Sequence, residues 1–345
     1  MIKIVVLTDY KGHFESKWHA VPYRSGMNLE LLKKYFNDLN YEFEAIKLSA
    51  VNFKNDVPNS SVFLYTASED KDFKYKDYIE DIVLGVQESG GHVVPAYKYL
   101  RAYNNKVFME ILRESTLVDK NLKSYYWSAP STDDLNTLSF PIVLKKSAGA
   151  MGTGVHFIKN KKQLLDQLKK INQSKSLNNI KNYIKDSIRP YKHKGYKKES
   201  LFREKFILQE FVPNLKSDFK VLAFGERYYI FERPVRKNDF RASGSGHGGY
   251  RYGSAVEVHS EIFDYAEKVH SALNVPNASL DICSDGEKFL LFEFQALSFG
   301  SVGQHKSDGY YVKKKGEWTF ISEELELEKV YVDSIHYYLQ KNNIL

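Results

Sequence analysis

The sequence predicts an α/β module followed by an α+β pair, and three observations predict it. Over roughly the first hundred residues, short β-branched runs alternate with stretches of helical period, the pattern of a parallel sheet packed by helices. After Pro141 the pattern becomes extended runs joined by glycine turns, which reads as a mostly antiparallel sheet. An amphipathic stretch from Glu323 to Gln340 then closes the chain as a helix. With 345 residues the chain suits two or three modules, at roughly 100–200 residues per domain. The expected divisions are 1–104, 105–206 and 207–345.

Each element has a local reason. Ile2–Leu7 is a β-branched strand, and Thr8–Arg24 is a polar, aromatic and basic loop. Ser25 is the expected cap of a helix carrying Leu29, Leu31, Leu32, Tyr35 and Phe36 as far as Asn40. Strands at Glu42–Leu48 and Ser61–Tyr65 precede a helix near Tyr78–Ser89, which Gly90 and Gly91 end. His92-Val-Val-Pro is extended, and Asn105–Glu114 is helical with Phe108, Ile111 and Leu112 on one face. Ile142–Lys145 and Val155–Ile158 are strands of one hairpin, and Lys162–Ile171 is a helix. Lys205–Phe211, Lys220–Phe224, Tyr228–Val235 and Lys288–Phe294 are expected in the antiparallel sheet. The Gly286 turn sets Asp281-Ile-Cys against the last of these.

Composition narrows the function classes. Hydrophobic residues at 43% and charged residues at 27% describe an ordinary globular chain. No run approaches the roughly 18 apolar residues that span a bilayer. The start lacks the basic and long apolar regions of a secretory signal. A single cysteine, Cys283, excludes an internal disulfide, so a cytoplasmic location is expected. The net charge of +7 is concentrated: 169–205 holds twelve Lys/Arg against three Asp/Glu, which leaves the remainder near −2. That segment is either a solvated lysine-rich insertion or a surface for an anionic substrate, headgroups, RNA or another acidic polymer.

The run K-K-S-A-G-A-M-G-T-G-V from Lys145 carries Gly149, Gly152 and Gly154 at a hairpin tip, where backbone N–H groups can converge on phosphate oxygens. No Gly-Lys-Ser/Thr follows, and a strand rather than a helix comes next, so neither a Walker loop nor a dinucleotide fingerprint fits. Alone, such a hairpin is more often a plain turn. Lys145 on the strand and Lys106 opening a helix can neutralise triphosphate charge. Ile207-Leu-Gln-Glu-Phe-Val can meet an adenine edge through its backbone, with Phe211 and Val212 near the ring and Asp218 placed for ribose hydroxyls.

In this order these residues resemble the ATP-grasp superfamily, nearest the branch of glutathione synthetase and the ribosomal-protein glutamate ligases. The likeness runs from about Asn105 to Gly303, and the preceding module resembles the Rossmann-like pre-ATP-grasp domain of such enzymes. The resemblance puts Lys106, Lys145, Ser147, Gly149, Ala150, Met151, Gly152, Gly154, Gln209, Glu210, Phe211, Val212 and Asp218 at ATP. Lys146 stands where proline is usual, Lys220 replaces an arginine, and Ser243 replaces an asparagine. Asp281 and Glu293 flank a hairpin and Gln295 shares the strand face of Glu293. By resemblance the three bridge Mg²⁺ to the phosphates, with two ions expected and Mn²⁺ an alternative; without it they read as a structural or solvated set. Arg233 and Arg241 can fork onto phosphoryl or carboxylate oxygens, Lys220 offers a point charge, and an ordinary ion pair is the rival reading for each. His247, His156 and Cys283 read as loop, packing and core residues.

The implied function is an ATP- and Mg²⁺-dependent carboxylate–amine ligase working through an acyl-phosphate on a small-molecule or peptide substrate. Two alternatives remain at this level: a small-molecule kinase, and a non-catalytic nucleotide-binding protein. The loop Thr8–Arg24 is a candidate substrate pocket, with Arg24 its cation. Homodimers are common in the superfamily.

Overall fold

A computed structural model describes residues 2–53, 61–116, 122–149, 152, 154–172, 177–198, 203–236, 239–242 and 249–344. By contact the chain forms two compact units, 1–121 with 214–345, and 122–213.

The first unit begins with a four-stranded parallel sheet, β1 (Lys3–Thr8), β2 (Glu42–Lys47), β3 (Ser61–Tyr65) and β4 (His92–Val94), in the order β2-β1-β3-β4. Val5, Leu7, Phe63 and Tyr65 pack against helix α2 (Lys74–Glu88), while Ile4, Val6, Val62 and Leu64 face α1 (Leu29–Asp38). Alternate residues of one strand thus feed two cores, as a covered parallel sheet requires. Asn28, not Ser25, caps α1, because its side chain accepts from the N–H groups of Glu30 and Leu31. The β1–α1 loop is tied down by Phe14, which is fully buried and accepts from Met27 N–H at 2.9 Å. Gly26 makes that approach feasible: its φ is +77°, and a Cβ there would lie 2.2 Å from the Phe14 carbonyl oxygen. Two short helices follow, α3 (Tyr97–Ala102) and α4 (Lys106–Thr116).

The second unit is an antiparallel sheet of β5 (Ser124–Trp127), β6 (Ile142–Lys146), β7 (Val155–Ile158) and β8 (Phe206–Glu210), ordered β5-β8-β6-β7, with helices α5 (Thr132–Asn136), α6 (Lys161–Asn172) and α7 (Leu177–Lys192). Here the sequence reading needs one correction. The stretch around Phe206–Glu210, expected in the C-terminal sheet, pairs with β6, where Leu144 sits opposite Leu208 and both are fully buried. Within the basic segment, the described residues include the helix α7.

Returning to the first unit, β9 (Ser217–Phe224), β10 (Arg227–Pro234), β11 (Arg251–Tyr252), β12 (Asn277–Ser284), β13 (Phe289–Gln295), β14 (Gly309–Lys314) and β15 (Glu317–Ser322) form a seven-stranded antiparallel sheet. Its path is β13-β12-β9-β10-β14-β15, and β11 pairs with β10. One face, with Val221, Ala223, Ile230, Leu280 and Ile282, packs on α8 (Glu261–Leu273) and on Met109 and Leu112 of α4. The other face carries Leu222, Phe224, Tyr229 and Phe231, which pack with α10 (Leu327–Lys341); the short α9 (Val302–Lys306) lies between β13 and β14 in the chain. Cys283 is a buried thiol. Among the described residues no helix is long and apolar enough to cross a membrane.

Candidate active site

The face of the large sheet that is apolar at Leu222 and Phe231 becomes charged further along the same strands. Side chains two residues apart share a face, so Asp218 and Lys220 on β9 project with Leu222. Register carries the set sideways: Arg233 lies opposite Asp218, Asp281 opposite Lys220, and Glu293 opposite Asp281. Ser279 and Gln295, themselves partners, continue the face. Four adjoining strands thus collect three carboxylates, two cations, a hydroxyl and an amide. A bulge between Asp281 and Ile282, which leaves Phe292 as the extra residue of β13, falls directly beside this group.

These side chains interlock. Arg233 donates from Nε to Asp218 Oδ1 at 2.6 Å and from Nη2 to Asp218 Oδ2 at 2.9 Å, a two-pronged bond between buried groups. The same Nη2 stands 3.2 Å from Asp281 Oδ2. Lys220 Nζ lies 2.8 Å from Asp281 Oδ1 and donates to Ser279 Oγ at 3.0 Å. Burial pushes the Asp218 carboxyl up, and Arg233 offsets that only in part. Burial would raise Asp281 too, but Arg233 and Lys220 together hold it well below the usual carboxylate range. Arg233 itself is held charged above its ordinary value, because Asp281 and Asp218 outweigh its desolvation. At the sheet edge Lys106, the first residue of α4, pairs with Glu293 Oε1 at 3.3 Å. Lys106, Glu293 and Gln295 line one cavity. Arg241 instead forks onto Asp239, two residues before it.

No protein-family model matches the sequence, and no curated protein matches it. Solved structures do. D-cycloserine synthetase DcsG superposes with a TM-score of 0.52 at 8% identity, over 96% of this chain and 98% of that one. The D-alanine–D-alanine ligase of Bacillus anthracis, complexed with ATP, gives 0.50 at 12% identity over 99% of each chain. The ATP-grasp ligase PsnB, complexed with a phosphomimetic variant of its minimal precursor, Mg and ADP, gives 0.50 at 10% identity over 97% and 98%. The chain has the ATP-grasp fold.

Within this ATP-grasp fold the sequence-predicted residues divide between the units. Lys106, Asp218, Lys220, Arg233, Asp281, Glu293 and Gln295 belong to the first unit, and all but Lys106 stand on the one sheet face. The second unit holds the glycine hairpin. Lys145 pairs with Val155 and Ile207, Ser147 is buried, and Gly149, Gly152 and Gly154 all have positive φ. At Gly154, with φ +75°, an added Cβ would lie 2.9 Å from the Lys146 side chain. Gln209 is buried opposite Val143, Val212 is buried, and Phe211 meets Phe157 edge-on at 4.7 Å. The Glu210 N–H donates to the Lys123 carbonyl at 2.9 Å. Ala150, Met151, Ser243 and His247 lie outside the described residues.

The donor set fits Mg²⁺. Asp281 Oδ1 is met by the Lys220 ammonium at 2.8 Å, a flexible point charge that can give way to a metal ion. Glu293 keeps a quarter of its side chain exposed beside the amide of Gln295. Among the described residues no three His, Cys, Asp or Glu side chains cluster to hold a metal alone. Two carboxylates and an amide oxygen, completed by phosphate and water, is the arrangement this hard cation accepts. Ser279 was not singled out from the sequence; its position two residues before Asp281, on the same strand face, is the signal that finds it.

Proposed function

We propose that this chain is an ATP- and Mg²⁺-dependent ligase that joins a carboxylate to an amine. One observation carries the reading: an ATP-grasp sheet presents Asp281, Glu293 and Gln295 on one face, interleaved with Lys220, Arg233 and Lys106. Each carboxylate there already has a cationic partner: Asp218 has Arg233, Asp281 has Lys220, and Glu293 has Lys106. The pairs are not equivalent. The Arg233–Asp218 fork is buried and rigid and serves to hold the face, whereas Lys106 and Lys220 are point charges on flexible stems. When a nucleotide's phosphates arrive, these two ammonium groups exchange carboxylate for phosphate oxygen, and Asp281 and Glu293 become available to the metal.

Mg²⁺ held by Asp281, Glu293 and Gln295 would supply charge neutralisation at the phosphates. Arg233, held charged by Asp281 and Asp218, supplies fixed positive potential to the face on which a phosphoryl group would move. A substrate carboxylate oxygen attacks the γ-phosphorus and ADP leaves, giving an acyl-phosphate. An amine nitrogen then attacks the acyl carbon, inorganic phosphate leaves, and the nitrogen loses a proton. The glycine hairpin from Lys145 to Val155, by the sequence motif, serves the phosphates and keeps water from the acyl-phosphate. The substrate is a small molecule or a peptide.

The test is release of ADP and inorganic phosphate from MgATP with mixed carboxylate and amine pools. A ligase releases both in equal amounts only when both pools are present. Phosphate retained on product would make the protein a kinase, and nucleotide binding without ADP in any pool would make it a sensor.

A further inference from the structure

The basic segment that the ligase reading leaves unused contains helix α7, and that helix turns apolar side chains outward. Ile184, Ile188 and Tyr191 are 54%, 45% and 90% exposed. Their spacing of four and three residues puts them on one stripe, because an α-helix turns about 100° per residue. Among the described residues none of the three belongs to a hydrophobic core, although Leu164 and Leu168 of the preceding α6 do. A helix that packs on its own domain buries such a stripe. One that shows it to water is completed by something outside the chain.

Charge runs beside the stripe. From Ile184 to Lys198 there are six Lys/Arg, namely Lys185, Arg189, Lys192, Lys194, Lys197 and Lys198, and a single acid, Asp186. On the helix, Lys185, Arg189 and Lys192 each follow a stripe residue by one position, so they form a row about 100° round from it. Asp186 points away from the stripe and is already engaged. Arg189 Nη1 stands 3.7 Å from its carboxylate, and the Tyr196 hydroxyl donates to it while accepting from Arg189 at 3.2 Å. That link folds the chain back after α7: the His193 N–H donates to the Arg189 carbonyl at 2.9 Å and the Tyr196 N–H to the His193 carbonyl at 3.1 Å. Gly195, with φ +83°, makes the turn. Lys194, Lys197 and Lys198 are exposed on and after this turn. None of the five lysines has an ion pair among the described residues.

Stripe and cations together choose the partner. A phosphodiester polymer such as RNA answers the lysines but leaves two isoleucines in water. A protein groove would cover the stripe, yet protein interfaces favour arginine and disfavour lysine, and five of these six cations are lysine. An anionic bilayer meets both features. Its headgroup–acyl boundary takes a shallow apolar stripe, and its diffuse surface charge attracts hydrated ammonium groups that need no fixed partner. We propose that α7 and the turn after it form a reversible docking surface for an anionic phospholipid bilayer. Ile184, Ile188 and Tyr191 enter the headgroup–acyl boundary, and the lysines and Arg189 lie at the level of the lipid phosphates. Each cation brought to such a surface strengthens binding about five-fold, so the attachment is salt-sensitive. This docking is independent of the ligase reading.

The test is co-sedimentation of the full chain, without nucleotide, with vesicles of phosphatidylcholine alone or with about 30% phosphatidylserine. The chain is expected to bind the anionic vesicles at least about 10-fold more tightly, and to be released as salt rises from about 0.1 to about 0.5 M. Lys194→Gln, Lys197→Gln and Lys198→Gln combined should weaken binding about 100-fold, at about five-fold per charge. Ile184→Ser with Ile188→Ser should weaken it about 10–100-fold, and the melting temperature should hold because both side chains are exposed. Tyr191→Trp adds a reporter whose emission, over that of the wild type, should shift to the blue with anionic vesicles alone. No sedimentation with anionic vesicles overturns the proposal. So does full vesicle binding by the isoleucine double variant, which would leave a plain polyanion surface competed by heparin. Self-association that the double variant loses, without vesicle binding, would assign the stripe to a second copy of this chain and overturn it too. No step here uses ATP, so failure of vesicle binding leaves the ligase reading standing, and failure of ADP release leaves this docking surface standing.

Discussion

Two stretches of one sheet face differ in everything except geometry. At one end Leu222, Phe224, Tyr229 and Phe231 meet α10 and form core; a few residues along the same strands, Asp218, Lys220, Arg233, Asp281 and Glu293 form a lattice of three carboxylates and two cations, which Lys106 of α4 balances at the edge. The pleat, spacing and hydrogen-bond ladder are the same in both. What differs is the identity of every second side chain, and with it the kind of energy stored there. The apolar end stabilises by removing surface from water. The charged end holds ions that have lost water and are satisfied chiefly by each other, a condition that costs stability and suits exchange of partners. Fold and chemistry are therefore separable on this face, and substitutions should separate them.

Phe224→Ala at the apolar end should cost about 3–5 kcal/mol of stability, with turnover per folded molecule kept. Denaturant unfolding beside an active-site titration reads both, and a stable but inactive variant would break the division. Arg233→Met strands the buried Asp218 and should cost about as much, roughly 3–5 kcal/mol, whereas Arg233→Met with Asp218→Leu should recover most of that loss. If the double variant is no more stable than the single one, the lattice is not a closed ion pair. Glu293→Ala and Lys145→Ala should leave the melting temperature nearly unchanged and lower kcat about 10²–10³-fold, the scale of removing one preorganised charge-stabilising group. Either variant turning over at the wild-type rate would remove that residue from the site.

The smallest effect is confined to acid. His270, on the α8 side of the sheet, is buried, bonded to the Val275 carbonyl at 2.8 Å, and desolvation pushes it down to about 4. The unfolded chain takes up that proton near pH 6.5 and the folded one does not, so stability falls as pH drops from about 6.5 to 4, by up to about 3 kcal/mol. Above pH 6.5 nothing should change. Unfolding free energies at pH 7 and 4.5 check this, and His270→Gln should flatten the difference; an unaltered slope would assign the acid sensitivity to the carboxylates instead.

The face was half visible in the sequence. Alternation placed Glu293 with Gln295, and the Gly286 turn put Asp281 and Glu293 on facing strands of one hairpin; the turn's register alone would set Asp281 against Phe292, and the bulge brings Glu293 opposite it. The two-residue Gly225-Glu226 turn likewise sets Arg233 opposite Asp218, but nothing local joins Lys220 to Asp281 or Lys106 to Glu293, which come together only through strand order and a helix at the sheet edge. The β8 strand shows the same limit. Its residues fit either sheet, and burial opposite Leu144 decided its place. Arg24, expected as the pocket's cation, is exposed over the ring of Tyr23 at 5.2 Å, while Glu15 of the same loop lines a small cavity.

By itself, then, the sequence determined the alternating α/β start, the glycine hairpin, the hairpin that carries Asp281 and Glu293 and the resemblance to ATP-grasp enzymes, all of which rest on period, turn chemistry and short-range spacing. Tertiary structure alone decided that Lys220 faces Asp281 and Lys106 faces Glu293, where β8 docks and that Gln304 is buried without a hydrogen-bond partner among the described residues. Those facts depend on contacts between residues far apart in the chain, and burial, the term that sets their energies, is a property of the assembled core.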